Sequence, residues 1–268
     1  MAEKKYSLYN NTEVLDQRLA VEIGEGYIVL VAGAGGRISG LEYFTAEDTL
    51  EETLNDINQL SSLIKKNYSE TRVFYNLEEA VMVPVGLFNS SVAAEFVDLA
   101  FGNKADARVN VENIDITPGI VNVYRSNEHW QEIINRHFRV VTKKHLYSKL
   151  VEDVVAGNES LRIIIYQNTF TIVAVKNKQL KIVRSFSFSS DADVLYHILN
   201  VCKQVDIDVA SAPMHVSGFV DKDSSLLQLL KKYIGSVKLY NAAYNDMPSV
   251  EKDQYPHHYF TSFINLLS

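Results

Sequence analysis

Leu19, Val21 and Ile23 alternate with other residues, the period-two pattern of a half-buried strand. Gly24-Glu25-Gly26 follows as a turn, because glycine tolerates positive φ. Tyr27–Ala32 is a continuous apolar run of the kind a central strand shows. Gly33–Gly36 makes a second turn and Ile38–Phe44 a third strand. Leu50, Leu54, Ile57, Leu60 and Ile64 then recur at helical spacing, with Asp48 as the expected N-cap.

The same plan returns further along. Leu161, Ile163 and Ile165 alternate, Gln167-Asn168 turns, and Phe170–Val175 reads as the central strand. Asn177-Lys178 turns again, Leu180–Phe188 is the third strand, and Asp191 is expected to cap a helix carrying Val194, Leu195, Ile198 and Cys202. Leu19–Thr45 and Leu161–Ser187 therefore match in pattern though not in identity: Val21 meets Ile163, Ile23 meets Ile165 and Val31 meets Val173. A repeat on this scale predicts two similar lobes with a cleft between them, where a ligand would sit.

Between the copies, Thr71–Asn76, Ala80–Val85, Arg108–Val111, Ile120–Tyr124 and Arg139–Thr142 read as strands, and Ser91–Phe101, Glu128–Arg136 and Lys144–Val155 as helices. Gly157–Ser160 is the expected boundary, dividing a first lobe, 1–158, from a smaller second lobe, 159–268. Pro213–Val220 and Val237–Tyr240 read as strands in the second lobe, Ser224–Tyr233 as a helix, and Tyr259–Leu267 as a C-terminal helix.

Composition narrows the function classes. The chain has 268 residues, 47% of them hydrophobic and 22% charged, which suits an ordinary globular core. A net charge of −7 argues against nucleic acid as a partner. The one cysteine, Cys202, falls on an apolar helix face and reads as a small buried hydrophobe; the absence of a cysteine pair fits a reducing compartment. The N-terminus is polar, with no signal-peptide core, and no apolar run approaches the ~20 residues a membrane helix needs. A cytoplasmic protein is expected.

Candidate chemistry is sparse. Tyr27–Gly36 (YIVLVAGAGG) resembles the start of a dinucleotide fingerprint, which would make the chain an oxidoreductase. That motif needs a third glycine where Ile38 stands and a helix where Ile38–Phe44 alternates as a strand. The matching place in the second copy, Lys176–Gln179, is an ordinary turn, so Gly33–Gly36 reads as a hairpin. His257-His258 with Asp253 makes a poor metal set, since adjacent residues of an extended segment point to opposite faces. Glu78-Glu79 reads as a solvated turn, His215 as a strand histidine, and His145, Ser148 and Asp153 have no triad spacing. No catalytic residue and no metal site are assigned.

The paired meanders with their helices resemble the actin, hsp70 and sugar-kinase superfamily, whose two lobes each carry a ribonuclease-H-like α/β core. Leu19–Thr45, Ser185–Val201 (SFSFSSDADVLYHILNV), Pro213–Val220 (PMHVSGFV) and Tyr255–Leu266 (YPHHYFTSFINL) resemble more narrowly a bacterial family, domain of unknown function 3822, seen mainly in Bacteroidetes. The wider resemblance implies a nucleotide cleft. Glu22, Gly24 and Gly26 would form its first phosphate loop, with Glu22 in the place of the usual aspartate, and Ser217-Gly218 would lie near the adenosine. The pattern is degenerate: no hydroxyl follows Gly24, Tyr166–Thr169 carries no acid, and Phe219 replaces a glycine. The expectation is a non-catalytic scaffold or protein-interaction module without cofactor, with an unidentified protein partner and a homodimer left open. The alternative is an ATP- and magnesium-binding protein using Glu22, Gly24, Gly26, Ser217 and Gly218.

Overall fold

The computed structural model describes residues 1–10, 15–139, 141–156, 160–241 and 255–268. In chain order the elements are β1 (Glu3–Tyr9), β2 (Arg18–Gly24), β3 (Tyr27–Ala34), β4 (Arg37–Thr45), α1 (Leu50–Leu60), β5 (Glu70–Asn76), β6 (Ala80–Pro84), α2 (Ala93–Phe101), β7 (Ala107–Ile114), β8 (Ile120–Asn127), α3 (Trp130–His137), β9 (Val141–His145), α4 (Leu146–Ala156), β10 (Leu161–Ile165), β11 (Thr169–Lys176), β12 (Gln179–Ser187), α5 (Asp191–Gln204), β13 (Met214–Gly218), α6 (Ser225–Tyr233), β14 (Val237–Leu239) and α7 (Thr261–Ile264).

The first sheet runs β1-β4-β3-β2-β5-β9 and the second β12-β11-β10-β13-β14. In the first, β2, β3 and β4 form an antiparallel meander and β5 joins β2 in parallel, with Val21 opposite Val73. In the second, β10, β11 and β12 do the same and β13 lies parallel to β10, with Ile163 opposite Val216. Parallel neighbours need a crossover, and α1 and α5 lie in those connections. A third, antiparallel sheet, β6-β8-β7, sits between β5 and β9 in the chain and packs against α2 through Val83, Val97, Val121 and Val123.

Strand alternation sorts the side chains into layers. Leu19, Val21 and Ile23 of β2 pack with Leu54 and Ile57 of α1, whereas Ala20 and Glu22 point to the other face. Leu161, Ile163 and Ile165 of β10 pack with Val194 and Ile198 of α5 and Leu227 of α6. The two sheets thus turn their remaining faces toward each other. The layer between them holds Tyr147, Leu150, Val151 and Val154 of α4 and Phe260, Phe263, Ile264 and Leu266 of the C-terminal segment.

Several expectations shift. β1 was not foreseen; it pairs antiparallel with β4 and buries Leu8, while Lys4 Nζ reaches Glu42 Oε1 at 2.9 Å. The helix caps are Thr49 and Ser190, one residue off the expected Asp48 and Asp191, because each has an acid at N3, Glu52 or Asp193, that returns a bond to the cap N–H. Asp48 pairs instead with the Met1 ammonium. The C-terminal helix shrinks to four residues between short 3₁₀ turns. Of the expected boundary Gly157–Ser160, residues 157–159 lie outside the described residues, as does Asp253. No helix among the described residues is long and apolar enough to cross a membrane.

Two substitutions gauge these features. Ser190→Ala removes the bond from Asp193 N (3.3 Å) and breaks the box; a loss of about 1 kcal/mol is expected, read as a fall of about 2–4 °C in a melting scan. Phe263→Ala, at 1% exposure in the middle layer, is expected to cost about 3–5 kcal/mol in urea unfolding. A loss under about 1 kcal/mol would mean that the C-terminal segment does not hold the layer together.

Candidate functional site

The turn after β2 is built around one ring. Gly26 sits at φ +76°, and a Cβ on Gly24 would collide with the ring of Tyr27, which folds back over it. That fold brings the Tyr27 hydroxyl to Glu22 Oε1 at 2.5 Å, and Asn76 Nδ2 donates to the same hydroxyl at 2.6 Å. Glu22 is completely buried. Its Oε2 and the Tyr166 hydroxyl lack a hydrogen bond of good geometry, although the two groups are close enough for each to shift the other's ionisation. Burial pushes the Glu22 carboxyl up to about 7, against the hydrogen bonds that favour its charged form. Burial first, and then the nearby carboxyl, raise the Tyr27 and Tyr166 hydroxyls well above their usual range.

Aromatic rings fill the space between the sheets around Glu22. Tyr27 stacks on Tyr43 (5.5 Å between centroids) and on Tyr166 of the second lobe (5.4 Å). Phe219 meets Tyr43 edge-on at 5.3 Å and stacks on Tyr6 at 5.4 Å; Phe263 adjoins Tyr166 and Phe219. Gly218 (φ +91°) ends β13 against the Ile165 backbone, where a Cβ would clash, and Phe219 N donates to Ile165 O at 2.8 Å. Gly218 therefore serves a close approach of two backbones. Ser217 is buried and lines a void of about 10 Å³ with Arg162 and Tyr240.

A cavity of about 680 Å³ opens beside the first-lobe turn. Gly24, Glu25, Gly26 and Tyr27 line it, together with Asn76–Glu79, the start of α1, Trp130 and Thr169. Neither Glu22 nor the Ser217-Gly218 pair reaches it. The five expected cleft residues thus lie in three places: Gly24 and Gly26 on the cavity, Glu22 sealed in the core, and Ser217-Gly218 at the end of β13. Both cations on the lining are occupied. Buried Arg125 bonds Glu79 (3.3 Å), Asp98 and the Gly102 carbonyl (2.6 Å), and Lys104 bonds Glu79 (3.2 Å). Glu79 is thus half-buried and ion-paired, a correction to the solvated turn expected for it.

The other candidate chemistry resolves into structure. His145 is buried, its Nε2 lies 3.0 Å from the Leu77 carbonyl, and burial lowers its pKa to about 3. Ser148 Oγ and the His145 backbone N–H both donate to Glu112, which anchors the start of α4. Asp153 pairs with Lys149 four residues earlier. Gly33–Gly36 is the β3–β4 hairpin and Ile38–Phe44 lies in β4, so no helix follows those glycines. No cluster of metal-binding residues occurs among the described residues. The sequence gives no sign of the roles of Glu42, Glu112 and Arg125; each is a charge within a strand, and only the fold supplies its partners.

No curated protein matches the chain. Among solved structures, it resembles a Bacteroides thetaiotaomicron protein with an actin-like ATPase fold and unknown function, at 15% identity and a TM-score of 0.74 over 94% of this chain and 95% of that one. It also resembles a PilM–PilN type IV pilus biogenesis complex (11% identity, TM-score 0.60, 93% and 97% covered). A third is the ethanolamine utilization protein EutJ from Carboxydothermus hydrogenoformans (9%, 0.52, 97% and 92%). These likenesses, with the paired sheet orders, give the chain an actin-like ATPase fold with two ribonuclease-H-like lobes. Residues 8–237 match the family described as Protein of unknown function (DUF3822), and the chain belongs to that family.

Proposed function

We propose that the chain is a non-catalytic actin-like scaffold, with lobes at 1–158 and 159–268, that works by contact with another protein. The aromatic packing between the lobes carries this reading. Tyr27, Tyr43, Tyr166, Phe219 and Phe263 occupy the space in which the resemblance would seat a nucleotide between Gly24 and Gly218. A carboxylate that orders a metal and a water must be ionised and reachable. Glu22 is sealed from solvent, and its pKa near 7 leaves much of it neutral at physiological pH. That a PilM–PilN complex shares the fold is consistent with a role through protein contact.

A second reading, nucleotide binding without turnover, draws on the cavity. It has the size of a small-molecule site, and Gly24, Gly26 and Thr169 line it. Its charge opposes a triphosphate: Glu25, Asp48, Glu78, Glu79 and Asp106 are on the lining against Lys104 and Arg125.

Calorimetry with ATP and magnesium separates the two readings. No saturable heat is expected up to about 1 mM, a free energy of about −4 kcal/mol. Saturable micromolar binding of the nucleotide, at this cavity or between the lobes, would overturn the scaffold reading.

Glu22 also predicts a pH signature. Its pKa is higher folded, about 7, than the roughly 4.3 of a free glutamate. Below about pH 4 both states are protonated and the group contributes nothing. As pH rises toward 7 the unfolded chain ionises first, so stability falls; above 7 the loss levels off at about 4 kcal/mol. Glu22→Gln is therefore expected to gain about 3 kcal/mol on the unaltered protein between pH 5 and pH 8 in urea unfolding. Parallel pH profiles for the two proteins would show that Glu22 is ionised in the fold.

A further inference from the structure

The charges on the cavity lining are unequally matched. Arg125 and Lys104 are committed to Glu79 and Asp98, and Asp48 to the Met1 ammonium. Glu25 and Glu78 carry no ion pair among the described residues, and they come from two separate tight turns, β2–β3 and β5–β6. They repel each other: burial first, and then the charge of Glu25, raise the Glu78 pKa, while Arg184 is the cation whose field reaches it. Two further features point to an occupant. Thr53 of α1 is 3% exposed and lines the cavity, and its hydroxyl has no hydrogen-bond partner among the described residues. Trp130 places an indole on the lining, and aromatic rings attract cations.

We propose that this cavity binds an organic cation, an ammonium or guanidinium group, held between Glu25 and Glu78 with Thr53 accepting a hydrogen bond and Trp130 beside it. A cation there relieves the repulsion between the two carboxylates, neither of which has an ion pair among the described residues. A divalent metal fits less well, because no set of three ligating side chains occurs among the described residues and magnesium prefers octahedral oxygen donors. The N-terminus of α1, which would favour an anion, is closed by the Thr49–Glu52 box. The volume suits a small amine or one basic side chain presented by a partner protein. The proposal does not depend on the scaffold reading.

Calorimetry with two probes, spermidine and a blocked alanine pentapeptide with a central lysine, tests it at fixed low salt. At least one probe is expected to bind at a single saturable site. Glu25→Gln and Glu78→Gln are each expected to weaken binding at least tenfold, and Thr53→Val about threefold. Glu95→Gln, which removes an exposed charge from α2 outside the lining, is expected to leave it unchanged. Binding of spermidine alone identifies a free amine as the ligand type, and binding of the peptide identifies a side chain delivered by a protein. Failure of both probes would overturn the proposal. So would an equal loss in Glu95→Gln, which would mark general attraction to an acidic surface, or magnesium binding that depends on Glu25 and Glu78. Glutamine keeps the size and polarity of glutamate at exposed turn positions, and far-ultraviolet circular dichroism confirms that each variant is folded.

Discussion

The packing of Tyr27 and Tyr43 of the first sheet against Tyr166, Phe219 and Phe263 joins the two halves of this molecule. These rings bury large apolar areas, and the offset and edge-on contacts among them add about 0.5–1.5 kcal/mol per pair beyond burial. Other features follow from that seam. It buries Glu22 on the inward face of β2, it gives the C-terminal segment a place between the sheets, and it occupies the interlobe space beside Gly218. A hinge between the lobes would have to part these rings from one another, so the seam ties lobe movement to the exposure of a large apolar surface.

Glu22 illustrates how its surroundings set the charge of a carboxyl group. A carboxylate in water is ionised at neutral pH. Here no cationic side chain acts on it, one oxygen lacks a well-formed hydrogen bond, and its remaining partners are neutral groups, Tyr27, Tyr166 and Asn76. Desolvation outweighs those hydrogen bonds, and the carboxyl moves toward its neutral form. Glu42 shows the opposite balance two strands away, on β4. It too is buried, but Lys4, Ser61, Tyr9 and the Ser62 N–H all bond it, and its pKa falls. Burial alone does not set the charge state; the number and charge of the partners do.

Much of the fold was legible because it depends on period and turn chemistry. The β2–β4 and β10–β12 meanders, their helices and the parallel strands after them follow from alternation, glycine turns and helical spacing, all local signals. The site was legible only in pieces. Gly24 and Gly26 flank the tight turn that their glycines predict, and both line the cavity, but Gly218 owes its identity to the Ile165 backbone, a contact with another strand. The cavity wall was not foreseen, because it joins Glu25, Glu78, Thr53 and Trp130 from four elements that only tertiary structure brings together. β1 was missed for a related reason: an edge strand with one face on the sheet carries too few apolar residues to stand out in a polar terminus.

The two turns that face each other across the lobes differ in size, and that difference explains where the molecule is open. In the alignment that sets Val21 on Ile163 and Ile23 on Ile165, Gly24 falls on Tyr166. The first lobe has no side chain at that point, which leaves room for the Tyr27 ring to fold back over the chain. The second lobe has a full phenol there, and it stacks on that same ring. The small residue in one copy and the large one in the other make a complementary pair, as facing layers of a well-packed core do. The middle of the cleft is consequently solid, and the free volume moves sideways to the outer face of the Gly24–Gly26 turn, where the third sheet and α1 enclose it. A molecule in this cavity would meet the first lobe and its inserted sheet, with Thr169 and Ser185 reaching in from the second lobe. The charges gathered there, and not the interlobe glycines, decide what it can be.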